Sequence, residues 1–351
     1  SGGATCPSLL LEPSRTNLVT QSEYFGGSYW TKSGSSVVSG FDSPEGLSNA
    51  FKLVEDTATT THQIQSSFSF LNQKYSLSAF LKADERNWIK VNLYDGSSSV
   101  YAYFDLTNGV VGQELGATGK IENYGNGWFR CSIATNLSVS AGNGNISLRL
   151  AENNGGTGYV GDGASGAYLY GFQLEQASYA TSYIPTYSVS QTRAGEACYL
   201  QDTNVHSSNA GTIFFEVGDY ETNTSPSGFN KILVFNTVAT SNLDNVIYFE
   251  EYEGNNTVLI RKNANSILQS TPNYQDLRGS KIAIKWSPEG AKIFINGVLN
   301  NTYTGDASLD IQYFGFDNPY NGNIVSTIKM KQLLGFPTAL SDVECIALTT
   351  I

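Results

Sequence analysis

The sequence predicts an all-β chain of two antiparallel β-sandwiches, a jelly roll and then a concanavalin-like one, with a short C-terminal helix. Three observations carry the class: apolar and polar residues alternate over short runs, no long stretch has a 3.6-residue period, and Gly, Asn and Ser turns separate the runs. The 35 glycines, 21 tyrosines and 18 phenylalanines beside a single methionine fit the same pattern of short strands and tight turns. At 351 residues the chain is long enough for two cores of ordinary size.

Taken in order, "KYSLSAFLKA" puts Tyr75, Leu77, Ala79 and Leu81 on one side. "NWIKVNLYDG" alternates more sharply, with Ile89, Val91 and Leu93 facing inward and Trp88, Lys90, Asn92 and Tyr94 outward. "SVYAYFDLTNG" sends Val100, Ala102, Phe104 and Leu106 in and leaves Tyr101, Tyr103 and Asp105 out. "GWFRCSIAT" sets Phe129, Cys131 and Ile133 against Trp128 and Arg130. "YLYGFQLEQASYATSYIPT" reads as the last strand of this sandwich and its exit, with Tyr170, Phe172 and Leu174 in the core and Gln173 and Glu175 opposite. Pro185 and the polar segment after it place a boundary, giving domains 1–195 and 196–351. New strands follow in "GTIFFEV", "KILVFNT" and "NVIYFEEYEGNNTVLIRK". The clearest hairpins lie in "SKIAIKWSPEGAKIFINGVLNNTY", with turns at Pro288-Glu289-Gly290 and Asn296-Gly297. "TALSDVECIALTT" predicts the helix, capped by Ser341 with Glu344 completing a capping box.

A formal charge of −11 and a pI near 4.7 repel phosphate backbones, so neither nucleic acid nor an anionic membrane is expected as a partner. No apolar run approaches the roughly 20 residues of a membrane span. The opening "SGGATC" lacks a basic-then-apolar secretion pattern and reads as a processing scar. Cys6, Cys131, Cys198 and Cys345 form no CxxC pair and have only His62 and His206 to help them, so buried free thiols are expected rather than zinc. Cys6 and Cys198 bracket the first domain and are the pair able to meet if its ends are adjacent.

The ordered set "NLVTQSEYFGGSYW", "NAFKLVED", "KYSLSAFLKA", "NGWFRCSI" and "GFQLEQASYATSYIPT" resembles a jelly-roll module of phage tail and virion proteins. Its opening, Asn17 to Trp30, is similar to the start of carbohydrate-binding modules of families 4, 9 and 22. Through "KIAIKWSPEGAKIFINGVLN" and "ALSDVECIALTTI", the rest is similar to laminin-G/concanavalin-like sandwiches and to the C-termini of phage tail proteins that carry one. The resemblance implies a bacteriophage tail fibre or adhesin on the virion, extracellular when it functions. It implies bacterial surface or marine polysaccharide as ligand, other tail subunits as partners, and a homo-oligomer, with a trimer as one form. A structural Ca2+ between first and last strands is a further implication, with Glu23 and Glu175 as its candidate ligands.

From the residues themselves, the candidate ligand face is Trp88, Lys90, Asn92, Tyr94, Tyr101 and Tyr103. Pyranose rings offer C–H faces to aromatics, and their hydroxyls need donors and acceptors at the edge. The competing reading is that another sheet, loop or subunit covers these rings. Arg130 is the expected partner of Glu175, because a buried carboxylate needs a charge or several donors. Asp306, Asp317, Asn318 and Tyr320 are secondary candidates for ligand or calcium at a loop rim, or plain Asx turns. Catalysis is not expected: Glu250, Glu251 and Glu253 do not put alternate acids in a glucanase arrangement, and no Gly-x-Ser-x-Gly elbow occurs. The alternatives left open are a depolymerase or lyase using dispersed Tyr, Arg and His residues, and a purely structural virion module.

Overall fold

Ile89, Val91 and Leu93 bury along one side of strand Trp88–Tyr94, and Leu77, Ala79 and Leu81 along one side of strand Ser76–Ala83. The two rows meet in a single core, which is what period-2 strands with one apolar face must form. The computed structural model describes residues 9–195, 199–201, 209–221, 230–236, 244–252, 255–272, 275–311, 313–315 and 327–350. Two compact units emerge: one spans Arg15–Arg193, and the other runs from Ala194 onward and takes in strand Leu9–Leu11.

The Arg15–Arg193 unit is a jelly-roll sandwich of two antiparallel six-stranded sheets. In its front sheet the spatial order is Val110–Leu115, Ser99–Asp105, Trp88–Tyr94, Gly142–Ala151, Gln63–Phe70, Thr31–Ser33. The back sheet runs Ala117–Gly125, Trp128–Thr135, Ser76–Ala83, Gly166–Glu175, Ala50–Glu55, Ser35–Phe41. The back sheet's outer side is plated by Ala50, Phe80, Trp128 and Tyr170, with Tyr183 of the exit segment packed on them.

Tyr170 departs from the sequence expectation. Leu169, Phe172 and Leu174 enter the core, but Tyr170 sits outside it, because the strand bulges between Tyr170 and Gln173. Gly171 makes the bulge at φ +62, and a Cβ there would meet the Phe80 ring at 2.8 Å.

The second unit pairs the sheet Leu9–Leu11, Thr327–Phe336, Gly211–Glu221, Lys281–Ser287, Gly290–Ile295, Val298–Tyr303 with the sheet Tyr199–Gln201, Tyr313–Gly315, Asn230–Asn236, Val246–Tyr252, Asn255–Lys262, Asn265–Gln269. Ile213, Phe215, Ile247, Phe249, Ile284, Trp286 and Ile293 fill its core. Asn296 and Gly297 turn its last hairpin at φ 50 and 79, the left-handed pair that two-residue hairpins use. Helix Asp342–Thr349 carries the full capping box of Ser341 and Glu344. It packs Cys345 against Phe214, Ala283 and Phe294 on the outer side of the sheet.

The ends of the jelly roll are joined by buried polar groups. Asn17 donates to the carbonyls of Phe172 (3.2 Å) and Ile184 (2.8 Å), and accepts from the amides of Val19 and Leu174 (both 3.1 Å). Thr186 and Ser22 exchange hydrogen bonds beside it, and Thr186 also donates to the Val19 carbonyl at 2.7 Å. Replacing Asn17 with Ala strands several buried backbone groups at about 1–3 kcal/mol each. Urea denaturation of Asn17→Ala should show about 3 kcal/mol or more of lost stability. A loss below about 1 kcal/mol would mean that the junction does not depend on this side chain.

Candidate functional site

Strands Ser99–Asp105, Trp88–Tyr94 and Gly142–Ala151 lie side by side, so their outward residues form rows across the sheet. Tyr103, Lys90 and Arg149 make one row; Tyr101, Asn92 and Ser147 make the next; Tyr94 and Asn145 pair at one end, and Trp88 stands opposite Asp105 at the other. The structure thus places all six residues of the candidate face on one side of two neighbouring strands. At the rise of an extended strand the face is about 20 Å long from Trp88 to Tyr94.

Exposure is uneven along it. Trp88, Tyr94 and Tyr101 are half-buried, while Tyr103 (3%), Lys90 (8%) and Asn92 (0%) are buried among their neighbours. The Lys90 ammonium lies 3.5 Å from the centroid of the Tyr101 ring and 5.4 Å from that of Tyr103, and the two rings meet edge to face at 5.7 Å. Arg149 donates from Nε to the Ser147 hydroxyl at 3.3 Å. Asn92 donates to the same hydroxyl at 3.4 Å, and its Oδ1 has no hydrogen-bond partner among the described residues. Gln63 Oε1 and Asn145 Oδ1, on flanking positions of the same sheet, are likewise buried and unpartnered. Burial, then the neighbouring Arg149 charge, pushes Lys90 down to about 8; burial also lowers Arg149 and raises the Tyr103 phenol.

Two glycines shape the ends of the face. At Gly112 a Cβ would come 2.6 Å from the Trp88 ring and 2.5 Å from Asn154 Oδ1, so glycine gives the indole its room there. At Gly144 a Cβ would sit 1.8 Å from the Tyr94 carbonyl oxygen, and the open groove beside it is lined by Ser67, Ser69, Tyr94, Asn143 and Asn145. The Tyr94 hydroxyl donates to the Gly96 carbonyl at 2.7 Å, which fixes the ring.

The other candidate residues fall elsewhere. Glu175 is fully buried, but its carboxylate accepts from the amide and hydroxyl of Thr181 (2.9 and 2.5 Å), not from Arg130. Arg130 instead donates to the Thr181 carbonyl at 2.5 Å and to Ser78 Oγ at 3.1 Å, while its Nε is buried without a hydrogen bond among the described residues; Thr181 thus serves both groups and no ion pair joins them. Glu23 accepts from three tyrosine hydroxyls, those of Tyr170 (3.0 Å), Tyr183 (3.1 Å) and Tyr187 (2.7 Å). Among the described residues the two glutamates share no partner, and hydroxyl and amide donors occupy the oxygens that a calcium ion would need. They therefore do not fit the proposed ion. Among the described residues no group of three or more His, Cys, Asp or Glu converges.

Asp306 caps its own turn through the Ser308 amide and pairs with Lys262 at 2.6 Å, the arrangement of an Asx turn. Asp317, Asn318 and Tyr320 lie outside the described residues, as do Cys6 and Cys198; Cys131 and Cys345 are buried free thiols. The sequence reading passed over Arg149, Ser147 and Asn145. The signal was present in "NISLRLA", where Ile146, Leu148 and Leu150 turn inward and the intervening residues outward.

No protein-family model matches the chain, and no curated protein sequence does. Among solved structures it is similar to the CBM40 module of the Ruminococcus gnavus IT-sialidase bound to α2,3-sialyllactose, at 17% identity and a TM-score of 0.28, over 44% of this chain and 97% of that one. A pentraxin from Limulus polyphemus matches at 15% identity and 0.32, over 43% and 73% of the two chains. Domains LG4-5 of the mouse laminin alpha1 chain match at 10% and 0.28, over 97% and 96%. At such values no property of these proteins transfers to the chain; the fold is the β-sandwich fold described above.

The face has a titration signature. Below about pH 8 Lys90 is protonated in both folded and unfolded chains, so the whole cost of burying its charge beside Arg149 is present; above the ordinary lysine value of 10.5 both states are neutral and the cost is gone. Stability should therefore gain a contribution between these pH values that a Lys90→Met variant lacks. Carbon-13 titration of the Lys90 Cε resonance should give a midpoint near pH 8, and a midpoint at the ordinary lysine value would rule out the buried setting.

Proposed function

We propose that this chain is a non-catalytic saccharide-binding protein, and that the outward face of its jelly-roll front sheet holds the glycan. One observation carries the reading: part-exposed aromatic rings stand beside part-exposed amide and cationic side chains on a single strip about 20 Å long. Tyr94, Tyr101 and Trp88 supply faces for sugar C–H groups, and the part-exposed amides of Asn145 and Gln63 supply partners for hydroxyls. The contrast with the back sheet supports the assignment, since there the outer aromatics are plated by the chain's own exit segment.

The finer part of the reading is a bacteriophage virion adhesin that recognises bacterial surface or marine polysaccharide and acts through several copies. Its support is the ordered resemblance of the sequence segments to phage tail modules. Weak single sites on a shared fibre would reach useful avidity by multivalency.

An enzymatic reading finds less support. Tyr, Arg and His do meet around Glu55: Arg86 donates to both Glu55 oxygens (2.7 and 2.6 Å), Tyr159 donates to one at 2.7 Å, and the His62 ring lies 4.6 Å from that of Tyr159. All but Arg86 are buried, and burial with the Glu55 charge raises the Tyr159 phenol, opposite to what a tyrosine base requires.

A glycan array of bacterial and algal polysaccharides, read together with a reducing-end assay, separates the classes. Wild-type protein should be retained on at least one glycan without releasing reducing ends. Tyr101→Ala and Trp88→Ala should each lose retention by about tenfold. Their thermal midpoints should stay close to wild type. Retention that persists in both variants, or new reducing ends, would sink the proposal.

A further inference from the structure

We propose that Lys90 and Arg149 form a subsite for an oxyanion carried on the glycan, a carboxylate or sulfate group on one sugar ring. The inference rests on the saccharide-binding reading of this face and narrows its substrate class to acidic glycans.

The first support is position. The two cations occupy directly opposed positions on adjacent strands, at the centre of the strip, with Tyr101 and Tyr103 beside them. The second is the missing counter-charge. Among the described residues neither Lys90 nor Arg149 has a carboxylate within ion-pair distance, although the chain has 31 acidic residues against 20 basic ones. Asp105, Asp95 and Glu114, in or beside the same sheet, are engaged by backbone amides. Asp105 accepts from Thr107 and Asn108, Asp95 from Ser97, Ser98 and Ser140, and Glu114 from Gly119. The third is energetic. Two like charges, one of them only 8% exposed, are held together on a sheet face, which raises the free energy of the empty protein and is relieved by an anion.

The geometry also says how a sugar would be read. The Arg149 fork suits two oxygens of a carboxylate or sulfate, while Lys90 acts as a point charge. Gln63, part-exposed and directly opposite Arg149 on the next strand, brings an amide that accepts a hydroxyl proton beside the cations. An acidic pyranose meets both demands with one ring, its charged substituent over the cations and a neighbouring hydroxyl on the amide. Tyr101 then lies beneath the ring's apolar face.

The test uses the acidic and neutral glycans of an array, with the acidic hits re-probed after carboxyl reduction or after desulfation. Uronate and sulfate sources are thereby told apart. The full chain should prefer acidic glycans. Removal of the responsible group should weaken binding at least tenfold, and binding should fall with added salt. Lys90→Met/Arg149→Met should lose the same factor while its thermal unfolding stays cooperative, and the ligand-side change gives an independent reading if that variant is altered in stability. Neutral hits that are lost in Tyr101→Ala but kept in Lys90→Met/Arg149→Met would overturn the oxyanion subsite and leave the saccharide face standing. Binding indifferent to all of these variants would overturn both.

Discussion

The jelly roll depends on a knot of buried hydrogen bonds that ties its first strand to its last. A sandwich of this kind brings the two ends of its chain together inside protein, where backbone groups have no water to turn to. Asn17 answers with two donors and two acceptor positions used at once, on Phe172, Ile184, Val19 and Leu174. Gln173, Glu175, Thr181 and Thr186 extend the network through the exit segment, so that Gln173 accepts from the Ile184 amide and Glu175 from Thr181. This segment is thereby held over the outer side of the back sheet, with Tyr183 against Phe80 and Tyr170. The two outer faces of one sandwich then have different fates. One is sealed by the chain's own exit, and the other keeps polar groups and part-exposed rings together.

What sequence patterns revealed divides along the range of the interactions. Period-2 alternation is local and placed Ile89, Val91, Leu93, Ala102 and Phe104 in the core, and with them the outward set from Trp88 to Tyr103. The capping box of Ser341 and Glu344 spans three residues and was equally legible. Gly171 marks where this logic fails. A single left-handed residue inside an alternating run shifts the phase, and Tyr170 moves from core to surface plate. Glycine is too common in this chain for that position to have stood out.

Partner choice among buried charges was the least legible feature. The premise that Glu175 needs donors was sound, and Arg130 was a reasonable candidate. The partner is instead Thr181, six residues on, which offers its amide and hydroxyl to Glu175 and its carbonyl to Arg130. The backbone groups of a turn, helped by one hydroxyl, can meet charges of either sign, and no spacing rule announces it. For the same reason Arg149 escaped notice: its meaning comes from Lys90 across the sheet, and a register between distant strands is not written in either strand alone.

An acidic ligand on a chain of formal charge −11 looks contradictory until the ranges are compared. At physiological ionic strength the field of an exposed charge is largely screened beyond about 8 Å, so distant carboxylates act weakly at the Lys90–Arg149 centre. Buried groups in direct contact are screened far less, and there the local sign is positive. A nucleic acid suits such a centre poorly, since it brings a charge about every 1.7 Å to a chain of net negative charge. A polysaccharide with at most one charge per ring, and with apolar ring faces between, can place a single group on the cation pair and the rest on aromatics and amides. The acidic surface then becomes a filter: it opposes dense polyanions and admits sparse ones, and it makes affinity for the sparse ones depend on registering one charge at one row of the sheet.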